Sequence, residues 1–123
     1  MTPEDAVARY YDAWKTKRGD MSEVPLADDF SFTGPVASFD SAAGFRAMAR
    51  EAGQAVTAFE VRRRFVDGDT VCSIVDWEMA IPGVGPMTAA ELLHVKDGAI
   101  VSGELIYDGE ELRRALAPAD VDA

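Results

Sequence analysis

The chain has 123 residues, and its 12 Lys and Arg side chains against 22 Asp and Glu give a net charge of −10. This length suits one domain. The charge argues against binding to nucleic acid or to anionic membranes, which need a basic surface. Cys72 is the only cysteine, so no internal disulfide can form and a reducing compartment fits. The first residues are acidic and polar, unlike a signal peptide, and we expect a cytoplasmic domain without a membrane segment.

The first half of the chain has a helical period. Residues 3–18 predict a helix with an apolar stripe rich in aromatic rings: Val7, Tyr10, Tyr11 and Trp14. Residues 21–26 are predicted to add a short helix, and a further helix is predicted to start at the cap Asp40 or Ser41 and to end at Gly53.

From residue 55 onward the period changes from about 3.6 to about 2, which is typical of strands. We expect a short strand at 29–33 and longer strands at 55–66, 70–81, 87–96 and 99–107. A helix at 109–116 and a mobile tail at 118–123 are predicted to follow. Helices that precede a series of hairpin-linked strands predict an α+β fold with an antiparallel sheet.

Alternation sorts each strand into two faces. One face is apolar except for Arg63, Ser73 and Glu91. The opposite face is charged, but it also carries several aliphatic side chains: Ile74, Leu92, Ile100 and Ile106. So much aliphatic surface on a solvent face predicts a partner, and we expect a two-fold homodimer through this outer face of the sheet.

Glu91 is the strongest candidate for chemistry because it is the one carboxylate on the apolar face. Burial raises the pKa of a carboxyl group, and a neutral carboxylic acid in a dry pocket can donate a hydrogen bond or a proton. Two other interpretations stay open. Glu91 could form a buried ion pair with Arg63 on the same face, or a bulge could turn it towards solvent.

The remaining candidate site residues come from the same faces. We expect Tyr10 to act with Glu91 and a set of mostly apolar side chains to bind the substrate: Tyr11, Trp14, Phe30, Phe32, Phe59, Arg63, Trp77, Leu93, Leu105 and Tyr107. Such aromatic side chains more often form the core than a binding site. His94 is the only histidine and falls on the outer face, so no histidine-based metal site is expected, and neither a metal nor a cofactor is predicted.

Five short segments, spread over nearly the whole chain, carry a family resemblance: Arg9 to Trp14, Leu26 to Phe30, Gly34 to Val36, Asp67 to Asp69 and Lys96 to Val101. Together they resemble the nuclear-transport-factor-2-like superfamily, and within it the SnoaL-like polyketide-cyclase and ketosteroid-isomerase branch. The resemblance implies one domain over residues 1–117, with a curved sheet wrapped by the N-terminal helices into a cone around an apolar pocket. The superfamily hosts many chemistries and many non-enzymes.

In ketosteroid isomerases a tyrosine of the first helix and a protonated aspartic acid form the oxyanion hole. The resemblance puts Tyr10 at the tyrosine's position and Glu91 at that of the aspartic acid. The aspartate base of that family is replaced here by Gly34, so ordinary ketosteroid isomerisation is not expected. The catalytic aspartate of the limonene-epoxide-hydrolase branch would align with Leu105.

Two functions are therefore predicted. The first is an isomerase, cyclase or dehydratase that acts on a small apolar carbonyl or polyketide-like compound with Glu91 as proton donor. The second is a non-catalytic ligand-binding or dimeric assembly module of the same fold, which the glycine at position 34 favours slightly. An unpaired Glu91 that faces a cavity would favour the first function, whereas contact between Glu91 and Arg63 would favour the second.

Overall fold

The computed structural model describes residues 2–117, and the predicted mobile tail at 118–123 lies outside this range. Its elements are α1 (Pro3–Thr16), β1 (Leu26–Thr33), β2 (Ser38–Phe39), α2 (Ala42–Ala52), β3 (Val56–Asp67), β4 (Thr70–Met79), β5 (Met87–Lys96), β6 (Ala99–Ile106) and α3 (Glu110–Leu116). The α+β class is confirmed, and the bounds of β5 match the prediction at both ends. None of the described helices combines the length and the apolar character that crossing a membrane requires.

Capping residues fix the start of α1. The Thr2 hydroxyl accepts a hydrogen bond from the Asp5 amide, while the Thr2 amide donates one to the Asp5 carboxylate. This reciprocal capping box satisfies two amides that the helix itself leaves without partners. The helix ends at Thr16, two residues before the predicted end at residue 18.

The predicted short helix at residues 21–26 does not form. Pro25 disfavours helical backbone at the residue before it. The carbonyl oxygens of Met21 and Val24 instead accept hydrogen bonds from the Arg46 guanidinium of α2, at 3.2 and 2.8 Å. The segment is therefore a linker that α2 holds in place.

The six strands form one curved, unclosed sheet in the order β2-β1-β6-β5-β4-β3. All neighbouring strands are antiparallel except β1 and β6, which run parallel. The prediction of a purely antiparallel sheet is wrong at this pair because a strand pattern carries no direction, and the long segment between β1 and β6 allows either one. The two-residue strand β2 is too short to give a period and is not predicted.

A bulge in β3 changes which side chains face the core. Arg62 is one extra residue in the pairing of β3 with β4, and it shifts the alternation beyond it. Arg63 and Phe65, predicted on the apolar face, are therefore exposed on the outer face, where the guanidinium carbon of Arg63 lies 5.0 Å from the centre of the Phe65 ring. Arg64 takes the inner position instead, and its guanidinium lies over the ring of Tyr11.

A second bulge, at Val101 in β6, moves another predicted side chain. Ile100 was expected on the outer face, yet it pairs with an inward-facing residue of β5 and is fully buried. The other three aliphatic residues predicted on the outer face are at least partly exposed. Ile74 and Leu92 are half-buried, and Ile106 is 52% exposed.

The core lies between the inner face of the sheet and the helices α1 and α2. Phe45 of α2 is fully buried, and the centre of its ring lies 5.0 Å from that of Phe30 and 4.9 Å from that of Phe32. These rings fill part of the space beneath the curved sheet. The rest of that space remains open as a cavity.

Candidate functional site

A cavity of about 430 Å³ lies on the inner side of the sheet. Its volume falls within the usual range for small-molecule sites. Eight of the predicted site residues line it: Tyr10, Trp14, Phe32, Phe59, Trp77, Glu91, Leu105 and Tyr107. The residues come from α1, from five of the strands and from Tyr107 directly after β6, and all but Tyr10 and Glu91 were predicted as substrate-binding residues.

Four predicted substrate-binding residues are not in the cavity wall. Phe30 and Leu93 are fully buried and pack into the core behind it. Tyr11 is buried against Phe59, with ring centres 5.9 Å apart. Arg63 lies on the opposite face of the sheet because of the bulge at Arg62.

Glu91 of β5 is the buried carboxylate of the cavity wall. Its exposed fraction is 3%, and one carboxylate oxygen, Oε2, accepts a hydrogen bond of 2.7 Å from the Tyr10 hydroxyl. Burial raises the pKa of Glu91 to about 7, although the Tyr10 hydroxyl, which donates a hydrogen bond to it, and the nearby Tyr11 hydroxyl act in the opposite direction. Glu91 therefore changes between its neutral and ionised forms near neutral pH.

The two alternative interpretations of Glu91 are wrong. An ion pair with Arg63 cannot form because that side chain is exposed on the outer face. A turn towards solvent is excluded because Glu91 is almost fully buried. In the strand register it pairs with Leu105 of β6 and with Ser73 of β4. What remains is a carboxyl group in an apolar cavity without an ion-pair partner among the described residues.

Tyr10 is positioned by the packing of α1. Its ring is stacked on Phe45 with 6.1 Å between ring centres, and the residue is 1% exposed. Burial and the neighbouring Glu91 raise the pKa of the Tyr10 phenol well above its ordinary value. Tyr10 therefore keeps its proton and stays a hydrogen-bond donor to Glu91 over the pH range in which the carboxyl group titrates.

Sequence reasoning did not assign to the site the walls that β2, α2, α3, the loops and two further residues of β4 contribute. The additional lining residues are Gly34, Val36, Ala37, Phe39, Phe45, Met48, Glu51, Ala52, Ala55, Val75, Met79, Ile81, Leu112 and Leu116. The helical spacing of Phe45, Met48 and Ala52 was a usable signal for the α2 wall. Residues from the loops and from α3 gave no comparable signal, because only the tertiary fold brings them to the cavity.

Glu51 is the second carboxylate among the lining residues, and it lies exposed at the end of α2. Gly34, which the resemblance puts at the position of the ketosteroid-isomerase base, does line the cavity but carries no side chain. Leu105, which the resemblance puts at the position of the epoxide-hydrolase aspartate, lines it as well. Neither position supplies a base.

His94 lies on the outer face, exposed, with its Nδ1 2.8 Å from the Thr70 hydroxyl. Among residues 2–117, no three His, Cys, Asp or Glu side chains are grouped in a way that could hold a metal ion.

A family model for the SnoaL-like domain matches residues 7–103, and the chain therefore belongs to this family. The resemblance inferred from the five sequence segments is confirmed. No curated protein sequence matches the chain at a significant level.

Solved structures support the same fold. A nuclear-transport-factor-2-like protein of unknown function from Cytophaga hutchinsonii is 23% identical, with a TM-score of 0.78 over 91% of this chain and 95% of its own. A candidate polyketide cyclase from Sinorhizobium meliloti is 23% identical, with a TM-score of 0.72 over 86% and 100%. An epoxide hydrolase similar to limonene epoxide hydrolase, from Mycobacterium tuberculosis, is 18% identical, with a TM-score of 0.71 over 93% and 84%.

Proposed function

We propose that the cavity binds a small apolar carbonyl or polyketide-like compound and that the protein is an isomerase, cyclase or dehydratase with Glu91 as proton donor. The observation that carries this proposal is a carboxyl group buried in an apolar cavity, with a pKa of about 7 and without a cationic partner among the described residues. Family membership and the structural similarity to a candidate polyketide cyclase support small-molecule chemistry of this kind.

The chemistry follows from the neutral form of Glu91. Because Oε2 accepts the hydrogen bond from Tyr10, the proton of the neutral acid is available on the other oxygen, Oε1. Donation of this proton to a substrate carbonyl oxygen stabilises the negative charge that develops there when an enol forms. Glu91 is left ionised, and the hydrogen bond from Tyr10 then stabilises the carboxylate.

Enol formation also requires an acceptor for the proton that leaves the substrate carbon. Among residues 2–117, Glu51 is the one other carboxylate of the cavity wall, and it reaches the cavity from the end of α2. We propose Glu51, directly or through a water molecule, as this acceptor. The role that an aspartate has in ketosteroid isomerases would then be taken by a different element of the fold, since Gly34 cannot supply it.

Binding is tested first by a thermal-shift screen against small apolar ketones, phenols and polyketide-like compounds. A ligand at about a hundred times its dissociation constant adds about 2.7 kcal/mol to the free energy of unfolding, which raises the melting temperature by several degrees. We expect such a shift for the wild type and a smaller one for Glu91→Gln. Glu51→Gln, which changes an exposed carboxylate of the same cavity, is the matched control and should keep most of the shift.

Catalysis is tested with a ketone that binds, by NMR detection of deuterium incorporation next to the carbonyl group in D2O. The wild type should accelerate this exchange, and Glu91→Gln should lose about a hundredfold or more of the acceleration, as is usual when a general acid is removed. Glu51→Gln should lose acceleration as well while it still binds. Binding without any acceleration by the wild type would contradict the enzymatic proposal.

The second candidate function is a module that binds a ligand without converting it. It is favoured by Gly34, which leaves the cavity without a carboxylate at the position that the catalytic base has in ketosteroid isomerases. Thermal shifts with no proton exchange for any ligand of the screen would support this function.

A further inference from the structure

Three buried polar atoms lie together without a hydrogen-bond partner among the described residues: the Tyr11 hydroxyl, the Ser73 hydroxyl and Nε of Arg64. Ser73 is fully buried and Tyr11 is 4% exposed. Burial of such groups is costly unless they are hydrogen-bonded, and ordered water is the usual partner where side chains do not supply one. None of the three residues lines the cavity.

The strand register puts these atoms in one row that begins at Glu91. Glu91 of β5 pairs with Ser73 of β4, and Ser73 pairs with Arg64 of β3, so the three side chains are consecutive neighbours across the inner face. The Tyr11 ring covers the outer end of the row, 5.8 Å from the guanidinium carbon of Arg64. Burial raises the pKa of the Tyr11 phenol, and Glu91 and Ser73 also affect it because they adjoin its hydroxyl.

The row ends at solvent. β3 is the edge strand of the sheet, and Arg64 is only half-buried there. At typical strand spacing the row from β5 to β3 spans about 10 Å. It therefore leads from Glu91, on the side away from the cavity, to the exposed edge of the sheet.

We propose that Tyr11, Ser73 and Arg64 hold ordered water behind Glu91 and that this row carries protons between Glu91 and the solvent at the β3 edge. This inference rests on the proposed function in one respect: the row supplies the proton that Glu91 donates to the substrate. The hydroxyls of Tyr11 and Ser73 can each accept and donate a proton, whereas Arg64 keeps its charge and only positions water.

A separate route is useful while a ligand occupies the cavity. The cavity wall is mainly apolar, with few polar groups to hold a chain of water, and a bound ligand would fill the space. After Glu91 gives its proton to a ligand, one proton from solvent passes along the row to the carboxylate. The net change is the transfer of one proton from solvent to Glu91, and the hydroxyls return to their starting state.

The test needs no cavity ligand, so its failure is distinguishable from failure of the proposed function. A light-triggered acid lowers the pH, and time-resolved infrared spectroscopy follows protonation of the carboxyl group, assigned to Glu91 by its loss in Glu91→Gln. Ser73→Ala should slow this step severalfold, and Ser73→Thr, which restores a hydroxyl, should recover the rate. NMR should also detect transfer of magnetisation from water to the Ser73 and Tyr11 side chains.

Neighbouring arginines provide the matched control. Arg64→Gln, at the outer end of the row, should slow protonation, whereas Arg63→Gln, one residue away on the opposite face, should not. Equal slowing by both would overturn the proposal, because surface charge would then explain the effect. An unchanged rate in both Ser73→Ala and Arg64→Gln, or no contact between water and Ser73, would overturn it as well.

Discussion

The carboxyl group of Glu91 is placed among groups that favour opposite charge states. Burial favours the neutral acid, whereas the hydrogen bond from Tyr10 and the nearby Tyr11 hydroxyl favour the carboxylate. With a pKa of about 7, the two forms have similar free energies at neutral pH. A group that can release and regain a proton at low cost is suited to general acid catalysis.

The raised pKa of Glu91 makes the free energy of unfolding depend on pH. The pKa of Glu91 rises from 4.5 to about 7 on folding, so its contribution to stability is fully present below pH 4.5 and is lost as the pH rises through 7. Glu91→Gln removes this loss. We expect the free energy of unfolding of the wild type, relative to the variant, to fall by up to about 3 kcal/mol between about pH 4 and about pH 8.5. Urea denaturation at several pH values measures it.

The control for this series is Glu51→Gln, at the exposed carboxylate of the same cavity. It should retain the pH dependence of the wild type. A difference between wild type and Glu91→Gln that stays constant with pH would contradict the raised pKa.

Tyr10→Phe removes the 2.7 Å hydrogen bond to Glu91 and little else from the ring packing. Because that bond favours the ionised carboxylate, the pKa of Glu91 should rise above 7 in the variant. Carbon-13 NMR of the Glu91 side-chain carboxyl group measures the titration. Tyr107→Phe, at a cavity tyrosine that has no hydrogen bond to Glu91, should leave the titration near that of the wild type, and a lower pKa in Tyr10→Phe would contradict the assignment.

At the scale of elements, the end of α2 closely approaches the chain that follows α1. A methyl group at Gly53 would collide with the carbonyl oxygen of Arg18, although the backbone of Gly53 is helical and would accept any residue. Gly53→Ala should therefore destabilise the protein by about 1–3 kcal/mol, the usual cost of overpacking. Gly85→Ala, where the nearest atom would lie 3.5 Å away, should change stability by about 0.5 kcal/mol or less. Thermal denaturation of both variants tests the difference.

The outer face of the sheet carries an apolar patch formed by Phe65, Ile74, Leu92 and Ile106. Phe65 on β3 and Ile106 on β6 lie at the two ends of this patch and are 49% and 52% exposed, so its apolar surface extends over four strands. We expect this patch to be covered in a homodimer. Leu92→Asp and Ile106→Asp should each give monomers, because a buried carboxylate without a partner opposes association.

Sedimentation velocity measures the change in mass. Ala47→Asp, which adds the same charge on the exposed side of α2, should leave the dimer intact. A wild-type protein that is monomeric at all concentrations, or a dimer that survives both sheet variants, would contradict the homodimer.

The elements themselves were largely predictable, whereas their pairing was not. The alternation in β5 is uninterrupted, and its bounds agree with the prediction at both ends. The predicted faces were wrong for Arg63 and Phe65, which follow the bulge at Arg62, and for Ile100, which precedes the bulge at Val101, because one extra residue reverses the alternation on one side of a bulge relative to the other. Nothing in the local sequence marks either bulge.

At the scale of the whole molecule, the candidate site combines predictable and unpredictable parts. Glu91 and Tyr10 could be found because one interrupts an apolar strand face and the other belongs to an aromatic helix stripe. The hydrogen bond that joins them connects residues 81 positions apart and follows only from the tertiary fold. The lining residues Glu51 and Leu116 likewise reach the cavity through the packing of whole helices.

The central claim is that neutral Glu91 donates a hydrogen bond to a carbonyl compound in the cavity. The most direct test is the dissociation constant of a neutral ketone as a function of pH, with 2-acetylnaphthalene as the first probe and the best ketone of the thermal-shift screen as the second. The dissociation constant should be constant below about pH 6 and rise by up to about tenfold per pH unit above pH 7, because ionised Glu91 has no proton to donate. It should not vary with pH in Glu91→Gln. A wild-type affinity that is independent of pH, or that strengthens above pH 7, would contradict the claim.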